Sequence, residues 1–255
     1  MRDLARRHGW PVMLLQLGEV PTLVVSSRSG AREVKRTHDA SFATRPMSSA
    51  VRVITNGGRD IALAPYGDHW RQMRRIAVTE LLTARRVLSF RAIREEEVAA
   101  MLRASAAGGE EIDMRARLSA MVADSTVRAV MGDSCRDRDV FLREVDRANA
   151  LGEGFNLADM WPSSRLVVWA TCAVRCAEEC RDTVFGILDS IIAEHLERMD
   201  GGGDDDQDLI DGLLWIKKDG GSGLDMDSIK PSSSTSLPRA VRRHRQHLSG
   251  SWRTW

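Results

Sequence analysis

Two short apolar runs, VMLLQL at 12–17 and TLVVS at 22–26, flank Gly18-Glu19-Val20-Pro21 and predict a strand, a turn and a second strand. Beyond them the apolar positions recur with helical rather than alternating spacing. Arg32 to His38 reads as helical, and FATRP at 42–46 ends it, because a residue preceding proline avoids the helical region. From there to Pro65 the chain reads as irregular, with Gly57-Gly58 in its middle. Pro65 and Asp68 are start signals for a helical stretch whose apolar positions are Ile76, Leu81, Leu82, Leu88, Ile93, Val98 and Met101. Asp113 to Met131 and Asp139 to Leu151 predict two further helices. Ser164 to Met199 predicts a long helical region broken near its first third, and Leu209 to Lys218 a short amphipathic helix. The expected fold class is mainly α, with a small β-hairpin near the N-terminus.

Composition narrows the function classes without choosing one. A chain of 255 residues holds one large domain or two small ones. The formal net charge of +1 offers no global attraction to nucleic acid or to an acidic substrate, so any partner must be argued locally. Four unevenly spaced cysteines do not make a secreted disulfide framework and point to a reducing compartment. Cys172, Cys176 and Cys180 fall at i, i+4 and i+8, one row on a helix. A single straight helix cannot wrap a tetrahedral metal, so small apolar packing is the default for them. No apolar run approaches the roughly 20 residues of a membrane span, and MRDLARRHGW lacks a signal-peptide core, so the chain as written is expected to be soluble.

Charge is distributed in blocks. Arg91 to Glu97 reads as a solvated helix face, and residues 201–207 as a flexible acidic loop. After Lys230 the pattern changes abruptly: residues 231–255 hold five arginines, no acidic residue and almost no apolar periodicity. The expected organisation is therefore a folded segment, 1–230, and a basic, disordered tail, 231–255. Arg239, Arg242, Arg243, Arg245 and Arg253 would suit phosphates, and His244 with His247 would suit a weak metal contact, but nucleic acid is not the expected partner.

One stretch concentrates chemistry. YGDHWRQMRRIAV, from Tyr66 to Val78, places a tryptophan, a histidine and three arginines at the head of a helix. Most such clusters are solvated faces; the alternative is an anion held against the protein body. With FATRP at 42–46, ELLTARRVLSFRAIREEEV at 80–98, FNLADMWPSSRL at 155–166 and AEECRDTVFGILDSIIAEHLERMD at 177–200, this stretch resembles the plant cytochromes P450 that oxidise terpenoids and other specialised metabolites. The resemblance runs from about residue 1 to residue 230.

The resemblance implies an incomplete cytochrome P450 fold, the N-terminal half of its catalytic domain, without the membrane anchor or the haem-cysteine loop. It implies that Trp70 and Arg74 bind a haem propionate, an arrangement that i, i+4 spacing permits because both side chains leave one helix face. Arg71 and Arg75 lie on other faces and are expected to be surface charges. No catalytic or metal-ligating residue is assigned, since none of Cys135, Cys172, Cys176 and Cys180 stands in a glycine-rich loop of the kind that carries the family's thiolate. By resemblance the family is a haem-thiolate monooxygenase acting on small lipophilic metabolites. Its partner is NADPH–cytochrome P450 reductase, and it sits on the endoplasmic reticulum facing the cytosol. This chain without an anchor would be cytoplasmic. Substrate-recognition regions are expected around Val51 to Ile61 and Leu151 to Trp161.

The tail departs from the family. Back-translation of residues 231–255 with suitable synonymous codons, with one base restored before Pro231, turns the basic stretch into an apolar helix carrying an acid-threonine oxygen-activation motif. A one-base frame change is therefore expected at that junction. The 255-residue product is then expected to be truncated and inactive as an enzyme, or to act, if at all, through its helices or basic tail.

Overall fold

The computed structural model describes residues 2–106, 112–132, 135–153, 156–201, 208–218, 226 and 228–234. It opens with a short helix, α1 (Arg2–His8), and an antiparallel hairpin of β1 (Val12–Leu17) and β2 (Val20–Val25), in register from Val12 opposite Val25 to Leu17 opposite Val20. The turn is Gly18-Glu19, shorter than the four residues expected. Gly18 makes it possible by adopting a φ of 64°, and a Cβ there would collide with the Met160 carbonyl. Pro21 consequently lies within β2, in a two-stranded sheet where every strand is an edge and a missing N–H is tolerated.

Helices make up the rest. The expected helix over 32–38 begins earlier, at α2 (Arg28–Arg32), because the Ser27 hydroxyl accepts from the Gly30 amide; a wider π-type turn, Glu33–Thr37, continues it. The region 46–65, expected to be irregular, contains α3 (Ser49–Ile54). Ser48 caps it through the Val51 amide, and the Asp159 carboxylate accepts from the Ser49 amide. The helix that follows Asp68 is three pieces: α4 (Asp68–Ile76) with a π-type extension Ala77–Leu81, α5 (Ala84–Ser89) capped by Thr83, and α6 (Arg91–Ala106). The expected helices at 113–131 and 139–151 are α7 (Met114–Met131), whose N-cap is Asp113, and α8 (Arg138–Glu153).

Short α9 (Leu157–Met160) and α10 (Arg165–Ala170) precede α11 (Ala173–Asp200), the longest element. The expected break falls at Cys172, which adopts left-handed backbone with φ 50°. Cys172 is exposed at that break while Cys180 is buried on the helix, so the three cysteines do not form one buried row. The described residues end with α12 (Leu209–Lys218) and a helical turn over 228–234. The first four residues of the expected tail, Pro231 to Ser234, belong to that turn and are buried; residues 235–255 lie outside the described residues, as do 202–207 of the acidic loop. Among the described residues no helix is long and apolar enough to cross a membrane.

The core is one helical cluster. Val127, Val130 and Met131 of α7, Phe141 and Val145 of α8, Leu188, Ile191 and Ile192 of α11, and Ile210 and Leu213 of α12 converge with Met73 and Ile76 of α4. α4 is thus pinned by its Met73–Ile76 side, which frees its opposite side for chemistry. Arg91 to Glu97 is mostly exposed as expected, although Glu96 and Glu97 reach Arg128 of α7 at 2.9 Å each and tie α6 to α7.

Candidate functional site

Asp68 and the preceding Gly67 start α4, and the four-residue spacing brings Trp70 and Arg74 onto one side of it. The Arg74 guanidinium carbon lies 5.3 Å from the centre of the Trp70 indole, in cation–π range, and the Tyr66 ring tilts against Trp70 at 5.5 Å. Arg71 projects elsewhere: it pairs with Asp68 at 2.5 Å and covers the Tyr66 ring, and the Asp68 hydrogen bond raises its pKa further. Arg74 is exposed, and among the described residues no carboxylate pairs with it. A guanidinium packed on an indole, with no carboxylate paired to it among the described residues, can donate to an external anion together with the indole N–H of the same helix side. The carboxylate of a haem propionate fits this donor set.

Two of the four cysteines have thiols shifted upward. Burial, with the Asp137 charge beside it, pushes the Cys135 thiol up to about 11. Burial likewise pushes the Cys180 thiol to about 11, aided by a hydrogen bond with Glu144. Both stay neutral near pH 7.

A cavity of about 660 Å³ opens between α3, α8 and α11. Val51 and Ile54 of α3 with its C-cap Thr55 form one wall, with Asp60 and Leu63 following, and Val145, Asn149 and Gly152 of α8 form a second. Val184 and Phe185 of α11 close a third, with Asp159, Pro162 and Ser234 at the margins. The two expected substrate-recognition regions, 51–61 and 151–161, therefore meet on one cavity, although Trp161 itself is not part of the wall. Gly152 permits the close approach of α8 to α3, since a Cβ there would lie 3.1 Å from Val51 Cγ2.

Sequence reasoning missed a third feature. His195, inside the apolar stripe of α11, is fully buried and sits between the Ile191 carbonyl on Nδ1 and the Asp208 carboxylate on Nε2, each at 2.7 Å. Asp211 Oδ1 lies 3.6 Å from Nε2, and Arg198 lies 3.7 Å from that same oxygen. Arg86 donates to the Asp208 carbonyl. The sequence held a signal: a histidine following Ile191-Ile192 at i+4 and i+3 occupies a core position and must find partners.

The cytochrome P450 family description matches residues 1–237. Among curated relatives, zealexin A1 synthase and dolabradiene monooxygenase, both from Zea mays, are each 41% identical over 230 residues, 89% of this chain and 45% of theirs. The 5-epiaristolochene 1,3-dihydroxylase of Nicotiana tabacum is 37% identical over 226 residues, 86% of this chain and 45% of its own. The chain thus spans a little under half the length of these relatives. A zebrafish cytochrome P450 solved with progesterone superposes with a TM-score of 0.70 at 22% identity, over 94% of this chain and 55% of that one. A second, solved with abiraterone, gives 0.72 at 23% identity, over 97% and 55%. At that identity the two structures bear on the fold alone.

Proposed function

This chain belongs to the cytochrome P450 family, and from that premise we propose that it is the N-terminal half of a haem-dependent monooxygenase domain that acts on small lipophilic plant metabolites. The observation that carries the reading is the Trp70–Arg74 pair, an outward donor set with no internal acid, on a helix fixed to the core through Met73 and Ile76. Haem with a thiolate ligand supplies the activation of dioxygen for insertion of one oxygen atom, with electrons delivered by an NADPH-dependent reductase. The residues of this chain have narrower duties.

Trp70 and Arg74 would hold a propionate and so fix the orientation of the porphyrin against α4. The α3–α8–α11 cavity is the proposed substrate chamber. Its size lies within the roughly 300–1,000 Å³ of small-molecule sites, and Val51, Ile54, Val145, Val184 and Phe185 give it apolar surface for a lipophile. None of Cys135, Cys172, Cys176 and Cys180 stands in a glycine-rich loop, so the sulfur ligand is expected from outside these residues. Titration of haem into the 255-residue chain tests this. Uptake without the carbon monoxide band of thiolate ligation is expected; no uptake sinks the clamp, and a thiolate-type band sinks the assignment of the sulfur.

A second reading, a non-catalytic truncated product acting through its helices or basic tail, is favoured by Ser233. Its hydroxyl is buried and has no hydrogen-bond partner among the described residues, at a position where the restored reading frame encodes isoleucine. The nucleotides across codons 230 and 231 decide between the two: if adding one base there does not yield an apolar helix, the frame change is wrong.

A further inference from the structure

We propose that Asn149 is the polar anchor of the α3–α8–α11 cavity, so that the cavity selects lipophiles already carrying one hydroxyl or carbonyl group over pure hydrocarbons. The proposal rests on the reading of this cavity as the substrate chamber.

The polar groups of the wall are mostly spoken for. The Ser48 hydroxyl caps α3 through the Val51 amide, and the Thr55 hydroxyl donates to the Val51 carbonyl while accepting from the Gly58 amide. Asp60 accepts from the Leu63 amide, and Asp159 accepts from the Ser49 amide. Arg181 is bound to Asp182, and the Ser234 hydroxyl donates to the Pro231 carbonyl. Asn149 is different: among the described residues its amide has no hydrogen-bond partner, and it is half-buried in the wall formed by α8. The Ser49 hydroxyl is likewise uncommitted, but it sits in the first turn of α3.

An amide offers two donors and an acceptor at one point, so it serves a hydroxyl or a carbonyl equally. It stands between Val145 and Gly152 along α8, in a cavity that Val184 and Phe185 of α11 also line. An uncommitted amide in this wall favours the ligand that pairs it, because an unpaired amide and a bound hydrocarbon together leave a desolvated polar group.

Equilibrium dialysis with a matched pair of probes, the sesquiterpene hydrocarbon cedrene and its alcohol cedrol, tests the proposal on the 255-residue chain. Cedrol is expected to bind about tenfold more tightly than cedrene. In Asn149→Leu that preference is expected to fall to about one with cedrene binding retained, which also reports an intact cavity. Asn149→Ala removes the amide without added bulk and serves as the second variant. Ser49→Ala is expected to keep the preference. Preference unchanged in both Asn149 variants, or lost instead in Ser49→Ala, overturns the anchor and leaves the chamber standing. Absence of binding by either probe to the wild-type chain overturns the chamber and the anchor together.

Discussion

His195 Nε2 lies 2.7 Å from Asp208 Oδ2 in a fully buried contact that joins the C-terminal third of α11 to the start of α12. Nδ1 faces the Ile191 carbonyl and Nε2 faces the Asp208 carboxylate, two acceptors, and that arrangement favours the imidazolium form of the ring. Burial by itself would depress the pKa of His195. The hydrogen bond to Asp208, the charges of Asp208 and Asp211, and the Ile191 carbonyl together outweigh burial and raise it. A charge this deep is tolerated only when paired, and Asp208 and Asp211 supply the pairing.

His195 therefore makes stability depend on pH in one direction. Its folded pKa is raised above the unfolded value, so its contribution is complete below the ordinary histidine pKa of about 6.5 and is lost as pH rises through the higher folded value. Denaturant midpoints measured from pH 6 to pH 9 should fall with pH in the wild-type chain and flatten in His195→Gln. His195→Leu, which removes the histidine partner of two buried carboxylates, should cost about 3–5 kcal/mol. An equal slope in wild type and variant would contradict the imidazolium.

Phe141 is fully buried where α8 meets α11 in the core cluster. Phe141→Ala should cost about 3–5 kcal/mol, read from urea unfolding, since the surrounding helices close only partly over the void.

Ser233→Ile should stabilise the chain, by on the order of 1 kcal/mol, by removing a buried hydroxyl that has no partner. A raised melting temperature fits a turn shaped for an apolar residue, as the frame change implies. A fall of similar size would mean that the site is packed around serine.

Arg74→Leu should leave the melting temperature unchanged, because the side chain is exposed and contacts no acid among the described residues. The same substitution should weaken haem uptake about tenfold, followed by Soret absorbance, through loss of a charge-assisted hydrogen bond. Arg75→Leu on another face serves as the control and should do neither.

Thiol labelling should separate the cysteines. Cys172 is exposed and should react with iodoacetamide first, whereas Cys135 and Cys180, both pushed to about 11, should remain slow until pH passes about 10. Rapid labelling of Cys180 at pH 7.5 would show that α11 opens locally.

Hydrophobic period alone identified the hairpin and the helices α7, α8, α11 and α12, and i, i+4 spacing placed Trp70 beside Arg74. These are local properties: the positions of one face are fixed by helical geometry whatever the helix packs against. Shorter elements escaped. α3 has only six residues, and its start is set by Ser48 together with an Asp159 carboxylate 110 positions away, so no window of nearby residues contains the cause. The same holds for the end of the hairpin, where Gly18 turns tightly because Met160 packs against it.

What the sequence determined unaided is the mainly helical class and the shared face of Trp70 and Arg74, which follow from spacing within elements, and the family resemblance, which rests on five motifs along the chain. The tertiary structure alone decided that residues 51–61 and 151–161 wall one cavity, that Asn149 has no hydrogen-bond partner there among the described residues, and that His195 is clasped by two buried carboxylates. Each of these depends on which segments distant in sequence share a low-dielectric interior, because burial and partnership belong to neighbours in space.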